Sequence, residues 1–171
     1  MARIASFKPI ESNSARILIL GSMPGAMSLT AKEYYAHPRN SFWKIMSAIL
    51  GVPETATYEE RIWALQGAGI ALWDVLHSCV RDGSLDADIE KDSMRANDFS
   101  TFFLRHPNIE VVCFNGATAE KCFKRVVIPT LTQSRMRYVR LPSTSPAHAS
   151  LSFDEKVAAW HAVICRRGRS R

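Results

Sequence analysis

Arg16-Ile17-Leu18-Ile19-Leu20-Gly21 is a short, continuous apolar run that stops at a glycine. A strand with one face in water alternates polar and apolar side chains, so an unbroken run of this length reads as a strand buried on both faces of a parallel sheet. Similar runs recur at Gly69-Ile70-Ala71-Leu72-Trp73-Asp74-Val75-Leu76, Ile109-Glu110-Val111-Val112-Cys113-Phe114-Asn115-Gly116 and Met136-Arg137-Tyr138-Val139-Arg140-Leu141. Helical patterns fill the intervals, over Ser41 to Leu50, Tyr58 to Gln66, Asp98 to His106 and Ala117 to Phe123, with a last one from Asp154 to Ile164. Capping signals agree: Thr57 precedes Tyr58-Glu59-Glu60, Asn97 or Asp98 precedes Phe99, and Phe153-Asp154-Glu155 opens the last helix. The alternation predicts an α/β three-layer sandwich, with a central four-stranded, mainly parallel sheet flanked by helices. Ligands of such sheets bind at the carboxyl ends of the strands, which places function just after Leu20, Leu76, Phe114 and Leu141.

Composition sets wider bounds. A chain of 171 residues, 47% of them hydrophobic, suits one domain over 1–171 with a real core. The 22 Lys and Arg against 16 Asp and Glu leave a formal charge of +6, which favours polyanionic partners. That signal is weak by itself, because part of it lies in a short basic tail from about residue 166: Arg166, Arg167, Arg169 and Arg171. The cysteines Cys79, Cys113, Cys122 and Cys165 show no C-x-x-C spacing, and Cys113 and Cys165 lie in apolar runs as small hydrophobes. A reducing compartment, no metal and no cofactor are the expectations. The start of the chain has no apolar stretch of signal-peptide length, and nowhere do enough apolar residues run together to span a membrane. A soluble, cytoplasmic protein with no membrane partner follows, and a monomer is the simplest expectation.

Three segments at the strand ends carry chemistry. Gly21-Ser22-Met23-Pro24-Gly25-Ala26-Met27-Ser28 has glycines that let backbone N–H groups approach a ligand closely. It lacks the lysine of a phosphate-binding loop and the spacing of a dinucleotide site, so alone it reads as a turn. Tyr34-Tyr35-Ala36-His37-Pro38-Arg39-Asn40-Ser41-Phe42-Trp43 joins aromatics, an amide and a cation immediately before a helix. Leu141-Pro142-Ser143-Thr144-Ser145-Pro146-Ala147-His148 offers small hydroxyl side chains and free N–H groups, suited to phosphates.

Together these segments resemble the mismatch-specific branch of the uracil-DNA glycosylase superfamily, and within it most closely the hypoxanthine-DNA glycosylase family. The resemblance runs from the first strand to the final helix. It implies an enzyme of base excision repair acting on double-stranded DNA that contains deaminated bases. Hypoxanthine is the first choice of excised base, uracil or a mismatched uracil the alternative, and an abasic site the product. Such an enzyme flips the base out of the duplex and separates it from the sugar through an oxocarbenium-like transition state, so its water needs placement more than deprotonation.

The resemblance assigns the catalytic, water-orienting role to Asn40, whose plain alternative is a cap on the helix at Ser41. Gly21, Ser22, Met23 and Pro24 become the loop beneath the base, with no carboxylate at Ser22 or Met23 where other branches carry an acidic residue or Asn. Tyr35 occupies the place of the stacking ring, with Tyr34 and Phe42 as alternatives and Trp43 as core. Asp74 stands where related enzymes read the base edge, often with Asn. An ionised Asp accepts from N1–H of hypoxanthine but cannot donate to O6, so it is protonated or held by Arg81 or His77, or it merely caps a loop. Asn115 is the candidate for the missing donor, or simply half of an Asn-Gly turn. Ser143, Thr144, Ser145, Pro146, Ala147 and His148 become the DNA-gripping motif. His37 reads as structural. Two other classes remain open: a nucleotide hydrolase, which should carry a phosphate-loop lysine, and a non-catalytic DNA-binding module, in which Asn40 is dispensable.

Overall fold

The computed structural model describes residues 2–132 and 135–166. Four strands, β2 (Ile17–Gly21), β3 (Ile70–Asp74), β6 (Val111–Asn115) and β7 (Arg137–Leu141), form one sheet in the order β3-β2-β6-β7. Every pairing in it is parallel. Side chains alternate between its faces. Leu18, Leu20, Ala71, Trp73, Val112 and Phe114 point to one core, and Ile19, Ile70, Leu72 and Cys113 to the other. Each face is covered by helices, which is why the strands read as continuous apolar runs. On the first lie α4 (Phe99–Arg105) and α5 (Ala117–Val126), contributing Phe99, Phe102, Ala119, Cys122 and Phe123. On the second lie α2 (Phe42–Leu50), α3 (Tyr58–Gly67) and α6 (Phe153–Ile164), contributing Phe42, Ile45, Leu65 and Trp160. This is the three-layer α/β sandwich expected from the sequence.

The helix boundaries follow from capping chemistry. Thr57 and Glu60 form a reciprocal capping box on α3, and Ser152 and Glu155 do the same on α6. At α4 the Asp98 carboxylate accepts from the Thr101 N–H at 3.0 Å, which selects Asp98 over Asn97 as the cap.

Two features lie outside the local pattern. The apolar run Gly69 to Leu76 is not one strand, because β3 ends at Asp74 and the chain continues as β4 (Leu76–Val80). That strand joins β1 (Arg3–Ala5) and β5 (Arg95–Ala96) in a second, antiparallel sheet of order β1-β4-β5. Val75 and Leu76 are fully buried on both counts, so hydrophobicity alone cannot show where one sheet hands over to the other. The short helix α1 (Ala26–Ala31) was also missed, being too brief for a periodic signal. Cys165, read as a buried hydrophobe, is exposed at the end of α6. The tail arginines Arg167, Arg169 and Arg171 lie outside the described residues. Among the described residues no helix is long and apolar enough to cross a membrane, and no cluster of metal-binding side chains forms.

Strand order positions the site. From β2 the chain crosses to β3 on one side, and later to β6 on the other, so the loops leaving β2 and β6 diverge and open a crevice. Parallel register brings Gly21 level with Asp74, Leu20 level with Phe114, and Asn115 level with Leu141.

Candidate active site

A cleft of about 710 Å³ opens at these carboxyl ends. Its size lies within the roughly 300–1,000 Å³ usual for small-ligand sites. Every residue that the sequence singled out for catalysis, base binding or DNA contact borders it, from Gly21 to His148.

Its floor is built by close approach. A methyl group added at Gly21 would lie 2.5 Å from Asp74 Oδ1 and 3.0 Å from the Tyr35 hydroxyl, so only glycine lets these two groups meet above the strand end. Asp74 is 3% exposed, and its Oδ2 has no partner among the described residues. Burial, reinforced by the charge of Asp86 and opposed by Arg81, pushes its carboxyl up to about 7. The Tyr35 hydroxyl is buried without a partner as well, and burial together with Asp74 raises its pKa.

Tyr35 has a left-handed backbone, φ 54°, uncommon for an aromatic residue. One face of its ring stacks on Phe42, with centroids 4.1 Å apart. The alternatives recede: Phe42 is fully buried, and Tyr34 is 4% exposed with its hydroxyl donating to the Lys8 carbonyl. Trp43 is core, as its spacing suggested.

Asn40 borders the cleft just before α2, where its Oδ1 accepts from the Phe42 N–H at 3.0 Å. Ser41 holds the formal cap position without a side-chain bond, so the Asn40 amide supplies the capping contact from one residue further out. Its Nδ2 donates to no described residue, and the oxygen keeps a second lone pair for a water. His37 accepts the Arg39 N–H on Nδ1 at 3.1 Å and shapes this turn. His77 is exposed on β4 and does not line the cleft.

The last motif folds around Thr144. The Thr144 N–H donates to Asn115 Oδ1 at 2.9 Å, and its hydroxyl accepts from Asn115 Nδ2 at 2.9 Å. Its carbonyl accepts from the Ser41 N–H at 3.0 Å and the Ser41 hydroxyl at 3.2 Å. Thr144 is only 1% exposed, and its bonds hold the loop together. The same bonds commit most of the Asn115 amide, which locks this loop to the sheet and is no longer a freely placed donor for Asp74. Pro146 and Ala147 are exposed, while Ser143, Ser145 and His148 are half-buried. From α6, Lys156 Nζ donates to the His148 carbonyl at 2.7 Å and Trp160 Nε1 to the Pro142 carbonyl at 3.0 Å, anchoring both ends of the loop.

The first loop differs most from expectation. Met23 borders the cleft but is 6% exposed and belongs to the core. No carboxylate stands at Ser22 or Met23, yet one arrives from elsewhere. Ser22 Oγ donates to Asp86 Oδ1 at 2.7 Å, and Asp86 lines the cleft. Arg81, 5% exposed, donates to the Pro24 carbonyl at 2.6 Å and the Gly83 carbonyl at 3.0 Å, joining this loop to the one after β4. Sequence reading missed Asp86 because Asp82-Gly83-Ser84-Leu85-Asp86 looks like an ordinary acidic turn. Its position one loop beyond a strand end was the available clue.

Comparison with known proteins agrees with this geometry. Residues 8–164 match the model of the uracil DNA glycosylase superfamily. A hypoxanthine DNA glycosylase of Methanosarcina acetivorans is 32% identical over 92% of this chain and 96% of its own length. One of Methanosarcina barkeri is 38% identical over 64% of this chain and 69% of its own. The solution NMR structure of a Methanosarcina acetivorans protein described as a candidate uracil DNA glycosylase superposes with a TM-score of 0.80. It is 30% identical, covering 95% of this chain and 97% of that one. With fold, strand-end cleft and motif residues all in register, the chain belongs to the uracil DNA glycosylase superfamily and is a DNA glycosylase.

Proposed function

We propose that the protein excises hypoxanthine from deoxyinosine in double-stranded DNA, leaving an abasic site for base excision repair, and that it works as an intracellular monomer without metal or cofactor. The observation that carries this reading is Asp74, buried at 3% exposure with Oδ2 unpartnered among the described residues, at the bottom of a base-sized cleft. Hypoxanthine presents N1–H as a donor and O6 as an acceptor. A carboxyl pushed up to about 7 is substantially protonated at neutral pH, so it offers one acceptor and one donor to that edge. This removes the difficulty of an ionised Asp that can only accept. The names of the two Methanosarcina relatives favour hypoxanthine over uracil.

In this reading the flipped base lies over Gly21 and Ser22 against the Tyr35 ring, and Asn40 Oδ1 orients the water. The Ser143 and Ser145 hydroxyls meet the phosphates, the Ala147 and His148 N–H groups being spent on Ser145 within the loop, while Arg39 supplies charge at the cleft edge. The test is incubation with duplexes carrying single deoxyinosine, deoxyuridine or deoxyxanthosine residues, followed by alkaline cleavage at abasic sites. Fastest release from deoxyinosine is expected. Faster release from deoxyuridine moves the assignment to uracil, and binding without release of any base reduces the protein to a DNA-binding module.

A further inference from the structure

The cleft contains a second carboxylate, and the reading above uses only the first. Asp86 reaches the site from the loop after β4, and its Oδ1 accepts the Ser22 hydroxyl at 2.7 Å. Arg81 lies buried beneath the same loop, with Nη1 lacking a partner among the described residues. Across the cleft floor, Asp74 Oδ2 and the Tyr35 hydroxyl are also buried, and neither has a partner among the described residues. Buried polar atoms are normally satisfied, so these two unsatisfied ones in the lining of one cleft mark where a ligand completes the bonding.

We propose that Asp86 is a catalytic carboxylate of the excision reaction, ionised and facing the sugar, while Asp74 is the acid that faces the base. This rests on the reading of Asp74 given above. The C1′–N bond breaks with its electron pair passing to the base nitrogen, and a water oxygen bonds to C1′. Asp74 gives its proton to the departing base, Asp86 takes the proton released by the water, and exchange with solvent restores both. No oxidant, reductant or co-reactant is required. As the bond breaks, the sugar becomes cationic, and a fixed anion beside it stabilises that charge. Asn40 places the water between them.

The two carboxyls are distinguished by their surroundings. Burial pushes both up and Arg81 opposes it at both; the Ser22 hydrogen bond pulls back Asp86 alone, whereas the charge of Asp86 drives Asp74 further up. Tyr34 and Tyr35 face Asp74 from the segment before α2, and Cys79 and Cys122 lie behind Asp86. Arg81 is the cation that acts on both carboxyls, and Arg3 and Arg125 act on Cys79 and Cys122 behind them.

The experiment measures single-turnover excision from a deoxyinosine duplex for the wild type, Asp86→Asn and Ser22→Ala, from about pH 5 to about pH 9. Asp86→Asn still accepts from Ser22 and so keeps the loop. It should slow excision by roughly a hundredfold or more, lose the acid limb of the profile, and shift the alkaline limb to lower pH because the charge raising Asp74 is gone. Ser22→Ala keeps the carboxylate and should move the acid limb to higher pH. A purely structural Asp86 predicts a slower enzyme with both limbs in place, and that result, or a wild-type rate in Asp86→Asn, overturns the proposal. Should Asp86→Asn fail to fold by circular dichroism, an unmoved acid limb in Ser22→Ala overturns it. A folded wild type that releases no deaminated base overturns this proposal and the functional reading together, whereas failure confined to the variants leaves the functional reading standing.

Discussion

At Asn40 one amide serves two purposes, since its oxygen accepts the first N–H of α2 at 3.0 Å and also borders the cleft. Substitutions separate them. Asn40→Ala should lose roughly 1 kcal/mol of helix capping and most of its excision, by about a hundredfold or more. Asn40→Asp retains an oxygen for the Phe42 N–H and for the water, so it should hold the melting temperature and keep more excision than Asn40→Ala. Thermal melting alongside single-turnover rates checks both, and unchanged turnover in Asn40→Ala removes Asn40 from catalysis. At Asp74 the prediction concerns stability. Its carboxyl is near 3.8 in the unfolded chain and about 7 in the folded one, so the native state holds the proton more tightly. Stability is therefore highest below the unfolded value, declines as pH rises from about 4 to about 7, and levels off above, with a total loss on the order of 4 kcal/mol. Asp74→Asn cannot ionise, so it should melt higher than the wild type at pH 8 and lose that advantage towards pH 4. Base preference should change in the same variant more than DNA affinity.

Among the elements, the last loop is the one whose shape depends most on a single buried group. Thr144 joins β6, through Asn115, to the start of α2, through Ser41, and so holds the loop over residues 142–148 against the Asn40 segment. Thr144→Val preserves volume but strands the Asn115 amide, at a cost of about 1–3 kcal/mol. Chemical denaturation should show that loss, and affinity for an abasic duplex should weaken with it. Unaltered affinity would mean that the loop finds its binding conformation without the clamp. Gly116 permits the clamp, because it has φ 91° and a methyl group there would lie 2.9 Å from Ser143 Cβ. The four strands of the parallel sheet, α2 to α6 and their caps were legible because each is decided within a few residues by periodicity and side-chain chemistry, whereas β1 and β5, of three and two residues, are too short for such a signal. The break after Asp74 was not, since Val75 and Leu76 remain apolar while passing from one sheet to the other.

Across the whole molecule the excess charge of +6 is less informative than where cations are free. Arg140 is paired with Glu120 at 2.8 Å, whereas Arg39 borders the cleft, exposed and with no acidic partner among the described residues. Arg39→Gln should therefore weaken binding to deoxyinosine and undamaged duplexes alike and reduce the slope of log affinity against log salt by about one. Titrations across a range of salt concentrations decide this, and an unchanged slope would place the phosphates elsewhere. The sequence by itself determined the layer architecture, the family and the three motif segments that border the cleft, because apolar periodicity and contiguous motifs are local properties of the chain. Only the tertiary structure decided which groups meet. It buried the side chains of Thr144 and Met23, stacked the Tyr35 ring on Phe42 with its hydroxyl close above Gly21, and brought Asp86 to a loop 64 residues distant. Those meetings depend on strand order, parallel register and the path of the loop after β4, and a distance between loops is written in no single stretch of residues.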